Sequence, residues 1–164
     1  MSIKLHVYPD HDTMSRAVAV RLLAQLHEKP ESVLALPSGK TPETLYAHLV
    51  DAGKHGAHFE RVRLFALDEY LGLGADDPRS FAAFFRQQLY GPLGLPPERA
   101  RVLDGRARDP KAECAAYEKA IADAGGLDLT LLGLGANGHI AFNEPATALQ
   151  ARTHVTPLAP PAST

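Results

Sequence analysis

The chain has 164 residues, 45% hydrophobic and 22% charged, the composition of one ordinary globular domain rather than a disordered tail or a fibre. Seventeen Lys and Arg against nineteen Asp and Glu leave a formal net charge of −2, which supplies no bulk field for gripping nucleic acid or an anionic membrane. The lone Cys114 excludes an intrachain disulfide framework and a multi-cysteine zinc site, and no apolar run approaches the roughly 20 residues of a membrane span. Residues 1–6 lack the charged-then-apolar order of a signal peptide, so the expected compartment is the reducing cytoplasm.

Ile3, Leu5 and Val7 alternate with Lys4 and His6, a period-two pattern that predicts a first strand ending at Pro9-Asp10. Asp10 and Asp12 are capping residues for a helix on which Met14, Ala17, Val18, Leu22 and Leu26 recur at helical spacing up to Lys29-Pro30. Residues 32–36 are a short apolar strand, followed by the turn Pro37 to Pro42 and a helix carrying Leu45, Tyr46, Leu49 and Val50. Residues 62–67 predict a third strand that runs into Asp68-Glu69-Tyr70. Phe81, Phe84, Phe85 and Leu89 form one helical face, read as core packing. Cys114, Tyr117 and Ile121 mark a further helix, with Cys114 as an inert buried thiol. Leu127, Leu129, Leu131 and Leu132 predict a strand entering the run Gly133 to Pro145, and residues 153–158 are a candidate last strand that the Pro160-Pro161 tail cannot extend.

Strands alternating with helices predict an α/β fold: three layers, a mostly parallel sheet with helices on both faces, Rossmann-like in outline. Ligands of such sheets bind beyond the carboxyl ends of the strands. Three unusual segments fall there. At Ser38-Gly39-Lys40-Thr41, free backbone N–H groups and two hydroxyls suit a phosphate, while a plain helix cap with Pro42 at the first helical position explains the turn equally well. The turn imitates the end of a nucleoside-triphosphate loop, but Leu34 stands where that motif needs a glycine. At Asp68-Glu69, a carboxylate on a rigid strand end can remove a proton from carbon beside a carbonyl, although acidic pairs more often cap helices or face solvent. In the third segment, Gly133, Gly135 and Gly138 match a dinucleotide fingerprint formally, but Pro145 bars the long helix that motif requires. The glycines instead bring backbone close to a ligand and aim His139, for which Glu144 offers an imidazole–carboxylate pair.

These three segments resemble those of the glucosamine-6-phosphate deaminases, within the wider superfamily that includes the 6-phosphogluconolactonases. The matching runs are residues 36–42, 67–73 and 133–145, in the same order and spacing over nearly the whole chain. Tyr70 stands where the lactonases usually have arginine, and the Ile140 to Pro145 run also follows the deaminase pattern. The resemblance implies conversion of glucosamine 6-phosphate to fructose 6-phosphate and ammonia by residues 1–164 as one domain, without metal or organic cofactor. It implies Asp68 as the base that moves a proton from C2 to C1. His139 assists ring opening, supported by Glu144 and Asn137, and Ser38, Gly39, Lys40, Thr41 and Gly138 bind substrate. The implied partner is a small sugar phosphate, with neither nucleic acid nor membrane, and a homo-oligomer is compatible with the family.

Three departures carry expectations of their own. Asn137 stands where many relatives have aspartate, which adjusts the histidine because an amide accepts a hydrogen bond without stabilising imidazolium as a charge does. His154 and Thr156 occupy positions where some relatives have basic allosteric residues, so that regulation is expected to be absent. The family typically continues through a strand–helix stretch that adds an arginine and a lysine to the phosphate pocket; the sequence reaches Thr164 before it, and low activity of the chain alone is expected. The alternatives are a 6-phosphogluconolactonase-type hydrolase, separable by substrate competition, and a non-catalytic sugar-phosphate binding module, recognised by thermal stabilisation without turnover.

Overall fold

A computed structural model describes residues 3–146 and 150–158. Asp10 opens α1 (His11–Glu28), its carboxylate accepting from the Thr13 N–H at 2.7 Å, and Lys29-Pro30 ends it. Then come β1 (Val33–Leu36), α2 (Glu43–Lys54), β2 (Arg63–Ala66), the short α3 (Phe81–Phe85) continued by a π turn over Arg86–Tyr90, β3 (Ala100–Arg101), α4 (Pro110–Asp123) and β4 (Leu129–Thr130). The four strands are all parallel in the order β3-β2-β1-β4. The chain therefore steps outward from β1 to β3 and returns through α4 to the other side of β1, which makes the β1/β4 boundary the topological switch point.

Strand residues alternate between two cores. Leu34, Leu36, Leu64 and Ala66 pack beneath α1, α2 and α3, with Leu22, Leu26, Tyr46, Phe85 and Leu89. Val33, Ala35 and Phe65 face α4, whose Tyr117 is buried and stands edge-on to Phe65 with ring centroids 5.5 Å apart. Helices on both faces explain why all four residues of β1 are buried and why the strand reads as an unbroken apolar run. The expected three-layer α/β architecture is the one observed.

Five local expectations are corrected. Ile3, Leu5 and Val7 form no strand; they are 98%, 85% and 84% exposed, because alternation gives capacity to pair and no neighbouring strand meets it among the described residues. The strand expected over 127–132 reduces to Leu129–Thr130, pairing with Leu34 and Ala35, and residues 153–158 form none. Pro42 is the N-cap of α2 rather than its first helical residue. Cys114 is half-buried, not fully enclosed. Sequence reasoning missed β3, whose two residues carry no periodicity, and the tail beyond residue 158 lies outside the described residues.

Candidate active site

The register of β1 and β2 builds the first half of the site. Leu36 pairs with Ala66, so two residues further along both chains Ser38 falls beside Asp68. The Ser38 hydroxyl donates to Asp68 Oδ1 at 3.1 Å. Burial at the strand end pushes the Asp68 carboxyl up to about 6, with the Ser38 hydrogen bond acting against the rise and the charge of Glu69 adding to it. A carboxylate poised there is largely ionised at neutral pH yet retains the basicity to accept a proton from carbon.

Glu69 does something else. Its carboxylate accepts from the N–H groups of Tyr70, Phe81 and Ala82 at 2.8, 3.0 and 2.9 Å, capping α3 beside the Ser80 hydroxyl, which accepts from Ala83 N at 3.0 Å. The acidic pair is thus divided: one carboxylate for the crevice, one for the scaffold. Glu69→Ala leaves three amides without their acceptor and is expected to cost about 1–3 kcal/mol in urea unfolding, whereas Ser80→Ala loses two bonds, the one it accepts from Ala83 N and the one it donates to Asp77 O at 2.8 Å, and leaves only one amide without its acceptor.

The turn after β1 leads into α2 with Gly39 at φ +95°, a left-handed conformation suited to glycine. No side chain caps α2 through its N-cap residue, and Lys40 and Thr41 are exposed. The Thr41 carbonyl lies 3.0 Å from His11 Nε2, a contact between α1 and this turn that sequence reasoning missed.

The segment after β4 forms the second half. Gly138, at φ +89°, reverses the chain so that the Asn137 side chain reaches both neighbours. Its carbonyl oxygen lies 2.7 Å from His139 Nδ1 and accepts from the His139 backbone N–H at 3.1 Å, while its amide nitrogen donates to Glu144 Oε2 at 2.7 Å. The direct His139–Glu144 pair expected from sequence is therefore corrected: Asn137 stands between them. An amide whose NH2 is held by a carboxylate must present its carbonyl to the ring, so Nδ1 carries the proton and Nε2 keeps a free lone pair. Gly135 lies directly against the ring, where a Cβ would overlap the imidazole.

The structure joins Ser38 to Asp68 and Asn137 to His139 and Glu144, but no hydrogen bond links the two sets or ties Lys40 to either among the described residues. A cavity of about 580 Å3 opens beside Asp68 between α4, the turn Ile140–Asn143 and residues 150–158; Asp68 lines it, while the other expected site residues do not. Residues 152–153 are held to α4 by Glu118, which accepts from Thr153 N and Oγ1 at 2.7 and 2.8 Å. Among the described residues no cluster of three His, Cys, Asp or Glu side chains is arranged to hold a metal ion.

Known proteins resemble this chain in sequence and in fold. A glucosamine-6-phosphate deaminase of Cellvibrio japonicus is 45% identical over 154 residues, which cover 93% of this chain and 59% of that one. That of Cutibacterium acnes is 46% identical over 151 residues, covering 92% and 58%. The chain thus spans about three-fifths of the length of these curated relatives. A solved structure described as a monomeric glucosamine-6-phosphate deaminase superposes with a TM-score of 0.91 at 35% identity, over 96% of this chain and 66% of that one. A 6-phosphogluconolactonase of Thermotoga maritima shares the fold at a TM-score of 0.69 and 22% identity, over 84% and 62%. The sequence model of the glucosamine-6-phosphate isomerases/6-phosphogluconolactonase family matches residues 9–162, and the chain belongs to that family.

Proposed function

We propose that this chain carries the proton-transfer half-sites of a glucosamine-6-phosphate deaminase, with glucosamine 6-phosphate and water as substrates and fructose 6-phosphate and ammonia as products. The observation that carries this reading is the Asp68 carboxyl, half-buried just beyond the end of β2 and raised to about 6 beside the Ser38 hydroxyl. The neighbouring relay of Glu144, Asn137 and His139 supports it by leaving His139 Nε2 free to accept a proton.

In this reaction His139 Nε2 takes the proton of the C1 hydroxyl as the ring opens and passes it to the ring oxygen, which leaves as the C5 hydroxyl. Asp68 then removes the C2 proton of the open aldose, giving an enolamine, and returns that proton to C1. The resulting C2 iminium adds water and expels ammonia, so the nitrogen is exchanged for oxygen with no change in overall redox state. Ser38, Gly39, Lys40 and Thr41, at the N-terminus of α2, hold the phosphate through backbone N–H groups and the lysine charge. We place the enzyme in amino-sugar metabolism in the cytoplasm.

The deaminase reading is preferred to the lactonase one because the curated relatives at 45% and 46% identity are deaminases, whereas the Thermotoga maritima lactonase is 22% identical. The test is ammonia release from glucosamine 6-phosphate, run beside hydrolysis of 6-phosphogluconolactone. Ammonia with no lactone hydrolysis supports the deaminase. Lactone hydrolysis alone overturns it, and a rise in melting temperature with sugar phosphate but no turnover identifies a binding module.

A further inference from the structure

The segment carrying His139 is almost self-contained. Among the described residues, the side-chain and turn hydrogen bonds of 133–145 stay within it: Gly135 N to His139 O, Gly138 N to Gly135 O, the Asn137 relay, and a reciprocal pair between Ile140 and Asn143 at 3.0 and 2.9 Å. Asn143 Nδ2 adds a bond to Ile140 O at 3.2 Å. None of these reaches the Asp68 strand end. Two groups that must act on adjacent carbons of one substrate therefore sit on bodies with no polar tie between them.

The tie the structure shows is aromatic. The reciprocal bonds close a two-residue turn with Ala141 and Phe142 at its tip, and Ala141 is the one non-glycine residue at positive φ among the described residues, at +52°. An alanine held there stores strain, and such strain persists only where surrounding contacts over-determine the backbone. What the turn delivers is the Phe142 ring, set 5.1 Å from Tyr70 and 5.8 Å from Phe81, which are themselves 4.7 Å apart. Tyr70 lies two residues beyond Asp68, and Phe81 is the first residue of the helix that Glu69 caps. The three half-buried rings thus join the Asp68 strand end, the start of α3 and the His139 turn.

We infer that Phe142 is a positioning residue that locks the His139 segment against the Asp68 strand end through its stack with Tyr70 and Phe81. The inference rests on reading Asp68 and His139 as the reacting groups. Phe142 touches no reacting atom; it fixes where the imidazole stands, and a misplacement of about 1 Å suffices to lose most of the benefit of orientation. The same ring contacts hold the turn that keeps Asn137 and Glu144 in line behind His139.

The deciding measurement is the long-range 1H–15N spectrum of the His139 ring in the full chain and in Phe142→Ala, Phe142→Leu and Phe142→Tyr. The unaltered chain is expected to show a single tautomer with the proton on Nδ1. Phe142→Ala should retain its circular dichroism yet average the two ring nitrogens, and kcat for ammonia release should fall about 10-fold with KM within 2-fold. Phe142→Tyr, which keeps the stacked ring, should restore the single tautomer. Should Phe142→Ala fail to fold, Phe142→Leu keeps apolar volume while removing the ring and is read the same way. A folded ring-less variant with the His139 tautomer intact overturns the inference. Absence of ammonia release from the unaltered chain counts against the deaminase reading instead, and the spectrum still decides the role of Phe142.

Discussion

Asp68→Asn should abolish ammonia release while making the fold more stable at neutral pH. The amide keeps the shape of the carboxyl and an acceptor for the Ser38 hydroxyl, but it has no proton affinity with which to carry hydrogen from C2 to C1. Loss of a positioned general base costs about 10²–10⁴-fold, and a group that both removes and returns the proton belongs at the upper end. The stability change runs the other way. Burial raises the carboxyl from 3.8 to about 6, so the folded chain holds a proton that the unfolded chain has already released between those values. Stability therefore falls as pH rises through that window, and above it the fold carries the full cost of a partly desolvated, ionised carboxylate. At 1.36 kcal/mol per pH unit that cost is at most about 3 kcal/mol. Urea unfolding should find Asp68→Asn more stable than the unaltered chain at about pH 7.5, with the gap closing towards about pH 4. A variant less stable at both values would make Asp68 a scaffold residue and remove the basis for its role as the base.

The position of Asp68 was legible because parallel strands transmit register. Once residues 32–36 and 62–67 are recognised as neighbouring strands, the residues just beyond them share one end of the sheet, and Ser38 beside Asp68 follows from the pairing of Leu36 with Ala66. The role of Glu69 was not legible, because the amides it caps belong to a helix that starts 12 residues later and whose approach is fixed only by the tertiary fold. Around His139 the residue types were readable and their order was not. Whether His139 meets Glu144 or Asn137 depends on the turns at Gly138 and Ala141, and only the first carries the residue type that announces a positive φ. The ring of Phe81 shows a related limit. Its spacing with Phe84 and Phe85 marks a core face, yet the structure turns Phe81 to Tyr70 and Phe142 while Phe85 is fully buried. Helical periodicity reports that a face is covered, not whether the core or the His139 loop covers it.

Gly135→Ala isolates the aim of the imidazole from everything else the loop does. The backbone at Gly135 does not adopt the left-handed conformation, so alanine is acceptable there on conformational grounds. The obstacle is the added methyl, which would occupy the space of His139 Cε1, Nδ1 and Nε2. The ring must swing away, breaking its 2.7 Å contact with Asn137 and the relay that keeps the proton on Nδ1. The expected outcome is a loss of ammonia release matching that of His139→Ala, about 100-fold or more, with stability changed by less than about 0.5 kcal/mol because the ring contributes nothing to either core. Gly133→Ala is the control: nothing lies within 4 Å of its added methyl, so activity and stability should both be retained. If Gly135→Ala and Gly133→Ala behave alike, with the His139 ring spectrum unaltered in both, the imidazole does not depend on this contact and the glycine spacing serves backbone approach alone. If only Gly135→Ala disturbs the ring, the gap between Gly135 and His139 is a steric requirement of the His139 ring, met by the absence of one methyl group.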